Sequence, residues 1–539
     1  MAEIDEKAIQ VTSPNIKHET EDKDDQEPKE FRPWQQLPVF IAMGLGIFIL
    51  GLDNTIVGTA TPTLTNEFHS LTDIGWYGSA YRLTTCSTQF LFGKLYEQFR
   101  VKWVFVIAVA ILEIGSIVSA AAPSSAALII GRAIAGCGAS GILNGALIAI
   151  SYTVPLRWRP ICNSTVGGLE CIAMVVAPVI GGAFTTYVSW RWCFWINPPV
   201  GGFTMIVIIL LFKDPENQKI TDEPVLDKLK QLNIVSLLVF TGSIVCLLLA
   251  LQWGGTTYSW GSGRVIALLV VSALIFIGFI AFEILRKDSA TIPRSVVLNR
   301  TAGLCLVYAF CSSAAFNVID YFLPIWFQAV KGASAAQSGQ MLLPSIIALS
   351  IAAISSGFIV SAIGYYTPLM LLGSTMMAIG FGFLTTFTPT TPKSAWIGWQ
   401  VMFSAGIGFS FPQPWTATQT ALEKKDIPVG MAAVGFAISI GAAISISVSQ
   451  NVFTNLLKEG LDGAGIEGLD VEGVIEQGAT GFLQDLQGIN RDIVIGIYNS
   501  AVTRTFWACV FVVCVGMVAA LGMKWNSVKG GGDGEDLES

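Results

Sequence analysis

Long apolar segments alternate with short polar segments along nearly the whole chain. Each apolar segment is about 20 residues long, which is the length that a helix needs to cross the hydrocarbon core of a bilayer. Inside a bilayer every backbone polar group must find its partner within the protein, and a helix meets that need within one segment. The pattern predicts fourteen membrane-spanning helices, at 37–58, 74–93, 103–122, 125–150, 165–187, 195–212, 232–251, 265–285, 303–329, 339–362, 367–388, 395–415, 430–452 and 503–523.

The amino-acid composition supports this interpretation. Of the 539 residues, 53% are hydrophobic and only 13% are charged, whereas a soluble globular protein has about 25% charged residues. So few charges cannot cover a water-facing surface on a chain of this length. The sequence therefore predicts an all-α integral membrane protein.

The distribution of lysine and arginine predicts the orientation in the membrane. An even number of spans places both termini on one side, and cytoplasmic segments carry an excess of positive charge. With the N-terminus in the cytoplasm, the tails and the cytoplasmic joints hold 22 of the 31 Lys and Arg residues. We therefore expect both termini to be cytoplasmic.

Longer polar segments divide the predicted helices into groups. The acidic N-terminal segment has few aromatic residues and is predicted to be disordered. The expected divisions are a cytoplasmic tail at 1–36, a six-helix bundle at 37–212, a cytoplasmic joint with two extra membrane helices at 213–302, a second six-helix bundle at 303–523 that includes an extracytoplasmic loop at 453–502, and a cytoplasmic tail at 524–539.

Two glycine-bounded segments occupy corresponding places in the two predicted bundles. One begins at Gly93 after the second span and the other at Gly357 after the tenth, and each is predicted to form the turn into the next span. This correspondence predicts two duplicated halves with two helices inserted between them. Duplicated halves around a central path are the usual construction of secondary transporters.

Other classes of membrane protein find little support. The sequence contains no phosphate-binding loop, no Cys/His cluster and no Ser/His/Asp set, so it predicts no enzyme, metal or other cofactor. Nothing in the sequence indicates nucleic-acid binding. A receptor-like sensor would need a large soluble domain, and the longest polar stretch has only about 50 residues.

Several segments carry distinctive motifs. They are 52–62 at the end of the first span, 93–102 after the second, 128–139 in the fourth and 168–182 in the fifth, with aromatic stretches at 189–202 and 321–332. These segments resemble the major facilitator superfamily, and within it the fourteen-span drug:proton antiporter branch with its fungal toxin and metabolite efflux pumps. The similarity covers about residues 37–525. The rings of 189–202 also suit anchoring at the membrane interface. The resemblance implies the major facilitator fold, with two six-helix bundles and two inserted helices.

The charged residues inside the predicted spans are candidates for proton coupling. A buried carboxylate is costly and is retained for a partner or a proton, and the resemblance implies such a role for Asp53 together with Arg132. The alternatives are a helix cap for Asp53 and a purely structural ion pair for Arg132. Glu170 and Asp320 are further candidates for contact with the proton or the substrate, whereas Glu113 is expected to be a packing or interfacial acid.

Two of the similar segments imply conformational roles. The first would be a gate at the fifth span, where a proline removes a helix hydrogen bond and glycines permit close approach of a neighbouring helix. The second would be a cytoplasmic latch, for which a simple basic turn is the alternative. The gate candidates are Gly168, Pro178, Gly181 and Gly182, and the latch candidates are Gly93, Glu97, Arg100 and Lys102.

The substrate path is expected to be apolar and aromatic because few fixed charges lie within the spans. A bulky, weakly polar compound suits such a wall. The candidate wall residues are Phe316, Trp326, Phe327, Phe411 and Trp415.

The predicted function is proton-coupled efflux of a small hydrophobic compound, such as a fungal secondary metabolite, toxin or drug, by alternating access. The alternative is an importer on the same fold, such as a siderophore–iron transporter. We expect a monomer whose partners are its substrate, protons and the lipid bilayer. The expected location is the plasma membrane, with the vacuolar membrane as the alternative.

Overall fold

The computed structural model describes residues 33–70, 73–214, 224, 234–255, 258–285, 292–464 and 489–529. Most of the predicted N-terminal tail, part of the joint that follows residue 214, the segment 465–488 and the last ten residues lie outside the described part of the chain. Helices dominate the described residues.

The first bundle begins with long helices that follow one another through short connections. It comprises α1 (Pro33–Phe68), α2 (Ile74–Gln98), α3 (Val101–Ala120), α4 (Ser125–Thr153), α5 (Arg159–Tyr187), the short α6 (Trp192–Trp195) and α7 (Asn197–Leu211). Two inserted helices follow, α8 (Ile234–Trp253) and α9 (Gly263–Leu285).

The second bundle repeats this plan, with short helices between the long ones. It comprises α10 (Arg294–Leu298), α11 (Arg300–Ala329), α12 (Ala335–Met341), α13 (Leu343–Ile363), α14 (Thr367–Leu384), α15 (Lys393–Ser410), α16 (Gln413–Ala421), α17 (Ile427–Ala464) and α18 (Ile489–Gly522).

Twelve helices of the described residues are long and apolar enough to cross a membrane. The other two predicted spans, at 74–93 and 395–415, are also helical, as α2 and as α15 with α16. They are less apolar, because α2 carries Arg82, Lys94 and Glu97 and α15 carries Lys393 and Gln400. The helical fold is confirmed, and the count of fourteen membrane crossings stays a prediction.

The predicted extracytoplasmic loop at 453–502 is helical at both of its ends, and its place outside the membrane stays a prediction. Helix α17 continues to Ala464, and α18 begins at Ile489. Phe453, Leu457 and Leu461 are buried, four residues apart on one face of α17, and pack in one cluster with Val494 and Tyr498 of α18. Mean polarity concealed this apolar stripe, because residues four apart on a helix share one face.

The predicted turns at Gly93 and Gly357 are also wrong, because both glycines lie inside helices, α2 and α13. The turns come later. The chain leaves α2 through extended backbone at Phe99 and Arg100, and it leaves α13 at Gly364, whose φ of 94° is a left-handed conformation that favours glycine. What Gly93 and Gly357 share is close contact with the other bundle.

We call the side of the molecule where α1 begins and α18 ends the terminal face, and the other side the opposite face. The hydrogen bonds that join the two bundles lie toward the terminal face. They link Asn163 to Thr416 and Gln419, Gln419 to the carbonyl of Leu147, Ser164 to Ser356, Ser361 to the carbonyl of Arg157, and Tyr152 to the carbonyl of Lys424.

Candidate functional site

Asp53 in α1 and Arg132 in α4 form an ion pair inside the first bundle. Nη1 of Arg132 lies 2.6 Å from Oδ2 of Asp53, and the side chains are 1% and 0% exposed, respectively. Nη2 donates to the carbonyl of Asp53 at 3.2 Å, and Nε donates to the carbonyl of Tyr77 at 3.1 Å. Because an arginine stays charged inside a protein, this buried position requires a counter-charge, which Asp53 supplies. The predicted pairing of these residues is present, and their role in coupling stays a prediction.

Asn197, the first residue of α7, completes the hydrogen bonding of Asp53. Its amide donates to Oδ1 of Asp53 at 2.9 Å and to Oγ of Ser116 in α3 at 3.0 Å. One polar network therefore joins α1, α3, α4 and α7. The sequence predicts membrane anchoring for the rings of 189–202 and does not predict either Asn197 or Ser116 as a partner of this network. The feature of the sequence that could have indicated this network is Asn197 itself, because it places an amide at the start of an otherwise apolar helix.

Aromatic rings enclose the guanidinium of Arg132. Its central carbon lies 4.4 Å from the ring centroid of Tyr81 and 5.8 Å from that of Phe194. Such contacts attract a cation to the ring face and keep water away from the ion pair. Removal of one partner from a buried ion pair costs about 3–5 kcal/mol, because the other charge is left uncompensated.

Glu170 and Asp320 lie outside this ion pair. Glu170 is half-buried in α5, and Asp320 is exposed about two thirds of the way along α11. Arg82 of α2 is also exposed and lies within electrostatic range of Asp320, although the two helices belong to different bundles. An exposed residue whose charged partner lies in the other bundle must line the space between the bundles.

Tyr81 connects this space to the buried ion pair. Its hydroxyl lies within electrostatic range of Asp53, Arg132, Glu170 and Arg82. The ion pair and the charged wall of the central space are therefore neighbours. The sequence places Arg82 inside a span but does not predict it as a site residue.

The four gate candidates occupy three kinds of environment. A Cβ at Gly181 would lie 2.2 Å from Oγ1 of Thr59 in α1, and one at Gly168 would lie 2.5 Å from Cγ1 of Ile354 in the second bundle. Both glycines therefore allow close helix packing, as expected. A Cβ at Gly182 would meet no atom within 4 Å, so the expected packing role is wrong there. Pro178 lies within α5, which continues on both sides of it.

The charged latch candidates pair within the first bundle, and the contact that reaches the second bundle comes from Gly93. A Cβ there would lie 2.6 Å from Cβ of Ala432. Asp214, which follows α7, receives two of the latch contacts and is not predicted from the sequence. The pairs are Glu97 with Lys94 at 2.8 Å, Arg100 with Asp214 at 3.6 Å, the backbone N–H of Lys102 with Asp214 at 3.4 Å, and Nζ of Lys102 with the carbonyl of Phe212 at 2.9 Å.

Three of the five candidate wall residues are buried in the protein interior. Trp326 and Phe327 are 0% exposed and Trp415 is 3% exposed, so none of the three lines an open path in this state, and their assignment to the substrate path stays a prediction. The indole of Trp326 donates to Asn499 at 2.8 Å and its ring packs on Phe387. Phe316 and Phe411 are half-buried and remain candidates. Hydropathy does not distinguish an aromatic residue at a cavity from one inside the core.

A second charged cluster lies at the opposite face, beyond the apolar span of α1. Glu67 accepts hydrogen bonds from the indole of Trp190 at 2.5 Å and from Arg191 at 2.9 Å. The hydrogen bond from Trp190, and then the contact with Arg191, lower the pKa of Glu67. Trp190 is 2% exposed, whereas Trp192 and Trp195 are 48% and 38% exposed, so the anchoring prediction fits only the latter two.

The described residues contain no group of three or more His, Cys, Asp or Glu side chains that could hold a metal ion. The polar groups of the site are carboxyls, a guanidinium and amides. Such groups bind and release protons and form ion pairs.

Comparison with known proteins identifies the family. Residues 43–446 match the model of the Major Facilitator Superfamily. Similar proteins include the MFS-type efflux pump MFS1 of Trichophyton rubrum, 46% identical over 486 residues that make up 90% of each chain. The efflux pump aflT of Aspergillus parasiticus is 43% identical and covers 91% of this chain and 96% of its own. The efflux pump roqT of Penicillium rubens is 41% identical over 92% of both chains.

Solved structures share the fold at low sequence identity. The human organic anion transporter MFSD10 superposes with a TM-score of 0.58 at 12% identity, over 89% of this chain and 99% of its own. The proton:xylose symporter XylE gives a TM-score of 0.57 at 15% identity, over 91% and 98% of the two chains. The protein is therefore a multi-pass membrane transporter rather than an enzyme, and it belongs to the major facilitator superfamily.

Proposed function

We propose that this transporter exports a small hydrophobic compound, such as a fungal secondary metabolite or toxin, in exchange for protons. Three relatives are 41–46% identical to this chain over at least 90% of its length, and each of them is named an efflux pump. The structural observation that supports coupling is the buried Asp53–Arg132 pair beside the central space. A carboxyl next to a fixed positive charge gains a proton more readily once the two separate.

The contacts between the bundles support an alternating-access mechanism. Hydrogen bonds and close glycine packing join the bundles toward the terminal face, while Arg82 and Asp320 line exposed space between them. We propose that the terminal face is cytoplasmic, because the lysine and arginine distribution predicts cytoplasmic termini. The structure is then the state that is closed to the cytoplasm, from which an exporter releases its substrate. We further propose that the protein is a monomer of the plasma membrane.

Transport into inside-out vesicles tests the direction and the coupling. The vesicles come from yeast that expresses the full chain, and rhodamine 6G serves as a fluorescent hydrophobic probe. With the vesicle interior acidified, we expect the dye to accumulate and an uncoupler to abolish the accumulation. Vesicles that lack the protein provide the background. Accumulation only in right-side-out vesicles would support an importer instead.

Deletion of the gene in its own organism tests for a natural substrate. We expect the retained fraction of at least one hydrophobic metabolite to rise and its secreted fraction to fall. Unchanged secretion together with unchanged drug tolerance would contradict export.

Reporter domains fused to each terminus test the orientation of the protein in the membrane. An extracellular signal from either fusion would overturn the proposal that both termini are cytoplasmic.

A further inference from the structure

Glu113 is a buried acid whose side chain has no hydrogen-bonding partner among the described residues. It lies within α3 and is 5% exposed, and both carboxyl oxygens are buried and unsatisfied. The sequence predicts a packing or interfacial acid here. The position is not interfacial, because Glu113 lies twelve residues from the start of α3 and seven from its end, which corresponds to about 18 Å and about 10 Å along a helix.

The carboxyl group of Glu113 lies directly against the backbone of α7. A Cβ added at Gly201 would lie 1.8 Å from Oε1 of Glu113 and 2.5 Å from its Cδ. The absence of a side chain at Gly201 therefore creates the space that the acid occupies. The two residues fit each other, because any side chain at Gly201 would overlap the carboxyl group of Glu113.

One helical turn away from Glu113 and Gly201, the helices α3 and α7 contribute to the polar network around Asp53 of α1. Ser116 lies three residues after Glu113 in α3, and Asn197 lies four residues before Gly201 in α7. Asn197 donates both to Ser116 and to Asp53. Asp53 also lies within electrostatic range of Glu113. A change in the charge of one acid must therefore affect the other, both directly and through the helices that position Asn197.

Among the described residues, the helices that pack on α3 offer no free cation beside Glu113. In α2, Lys94 is paired with Glu97, and Arg82 lies near Asp320. Arg132 is the one charged residue of α4, and it already binds Asp53 and the carbonyl of Tyr77. Neither α6 nor α7, which also pack on α3, contains a charged residue. In α3 itself the other charged residue is Lys102, at the start of the helix, where it binds the carbonyl of Phe212.

An isolated ionised carboxyl in an apolar interior is unstable by many kcal/mol, and such a group becomes neutral instead. The neighbouring negative charge of Asp53 disfavours ionisation further. Glu113 therefore carries a proton while Asp53 is ionised and paired with Arg132. A neutral acid that donates no hydrogen bond packs less well than a leucine would. Packing alone therefore does not explain an acid at this position.

We propose that Glu113 is a second proton-binding residue of this transporter, coupled to Asp53 so that the two carboxyls share one proton. When Arg132 separates from Asp53 during alternation and becomes the counter-charge of Glu113, the O–H bond of Glu113 breaks and an O–H bond forms on Asp53. The proton is conserved, and one carboxylate and one carboxylic acid exist before and after the transfer. This inference rests on the proposed proton-coupled function.

The isosteric substitution Glu113→Gln separates this role from packing. Glutamine preserves the size and the neutral charge of the protonated acid but cannot release a proton. We expect the variant to insert in the membrane, to bind rhodamine 6G and to exchange it across vesicles without a proton gradient. We expect proton-driven accumulation of the dye to fall at least tenfold and its pH dependence to flatten. Wild-type accumulation with an unchanged pH profile would overturn the proposal.

Infrared difference spectroscopy provides a test that is independent of transport. Purified wild-type protein at neutral pH should show the C=O stretching band of a buried protonated carboxylic acid, and Glu113→Gln should lack that band. An identical carboxylic-acid region in both proteins would mean that Glu113 is ionised, and this would overturn the proposal. If the wild type accumulates no dye under a proton gradient but shows the band, the proposed function fails while the protonation of Glu113 stands.

Discussion

Gly93 in α2 and Gly357 in α13 hold equivalent places in the two bundles. A Cβ added at Gly93 would lie 2.6 Å from Cβ of Ala432 in α17, and one added at Gly357 would lie 2.6 Å from the carbonyl oxygen of Pro160 in α5. Each glycine thus permits a helix of one bundle to touch a helix of the other near the terminal face. The two glycine-bounded segments that correspond in the sequence therefore share a structural role, which is this close contact between the bundles.

Alanine at either position is expected to open the terminal face. Overpacking a tight contact costs about 1–3 kcal/mol, which corresponds to a shift of roughly 5–150-fold in the balance between closed and open states. The readout is crosslinking of Ser164→Cys to Ser356→Cys, whose hydroxyl oxygens lie 3.1 Å apart in the closed state. We expect Gly93→Ala and Gly357→Ala each to reduce the crosslinked fraction.

Matched controls for this prediction lie in the same bundles. A Cβ at Gly78 in α2 or at Gly382 in α14 would meet no atom within 4 Å, so Gly78→Ala and Gly382→Ala should leave crosslinking unchanged. Equal loss of crosslinking in the controls would show that a general loss of helix stability, rather than a local clash, causes the effect.

The Asp53–Arg132 pair is expected to be required for coupling as well as for stability. Asp53→Asn and Arg132→Gln each leave one buried charge unpaired, which costs about 3–5 kcal/mol. The double variant removes both charges, so thermal unfolding should show that it recovers much of the lost stability. We expect all three variants to reach the membrane and to lose proton-driven accumulation of rhodamine 6G at least tenfold.

The double variant shows whether the Asp53–Arg132 pair has only a structural role or is also needed for proton coupling. A double-mutant cycle isolates the interaction between two contacting residues. If the stabilised double variant exported the dye at the wild-type rate and with the wild-type pH profile, the pair would be structural only.

The sequence was sufficient to predict the fold class and the buried ion pair. Apolar segments of membrane-spanning length have few alternatives to helices, and a charge inside such a segment requires a partner. The partners Asn197 and Ser116 were not predicted, because an amide and a hydroxyl in a helix have no costly charge that demands an explanation. Their importance depends on the crossing of α3 and α7 beside α1.

Which aromatic residues face the central space could not be predicted either. Trp326 and Phe316 lie in the same helix, yet one is fully buried and the other half-buried. The difference depends on which face of α11 meets α18 and which faces the other bundle. That orientation follows from long-range packing, which the local pattern of residues does not contain.

The cluster at Glu67 makes the stability of the opposite face dependent on pH. The hydrogen bond from Trp190 and the contact with Arg191 lower the pKa of Glu67 below its ordinary value of 4.5. A lowered pKa in the folded state contributes stability above the unfolded value, and that stability is lost as the pH falls through the folded value. The contribution is about 0.2–1 kcal/mol, because Glu67 is 43% exposed to solvent.

Thermal unfolding of Glu67→Gln measures this contribution. We expect the variant to be less stable than the wild type above a pH of about 5, and the difference to disappear as the pH falls below the lowered pKa of Glu67. Glu423→Gln is the control, because Glu423 is 74% exposed and pairs only two residues away with Lys425. A constant difference between wild type and Glu67→Gln at all pH values would show that shape, not charge, matters at this position.

Phe316 and Trp326 are expected to have separable effects on specificity and stability. Phe316 lies four residues before the exposed Asp320, so both residues lie on the same face of α11, whereas Trp326 is enclosed and donates to Asn499. Truncation of a fully buried large aromatic side chain costs about 3–5 kcal/mol. Trp326→Ala should therefore lower the unfolding temperature, and Phe316→Ala should change the relative rates for hydrophobic dyes of different size with little loss of stability. Measurements of both quantities on both variants test the assignment, because a Phe316→Ala protein with unchanged dye preference and low stability would place Phe316 in the core instead of the substrate path.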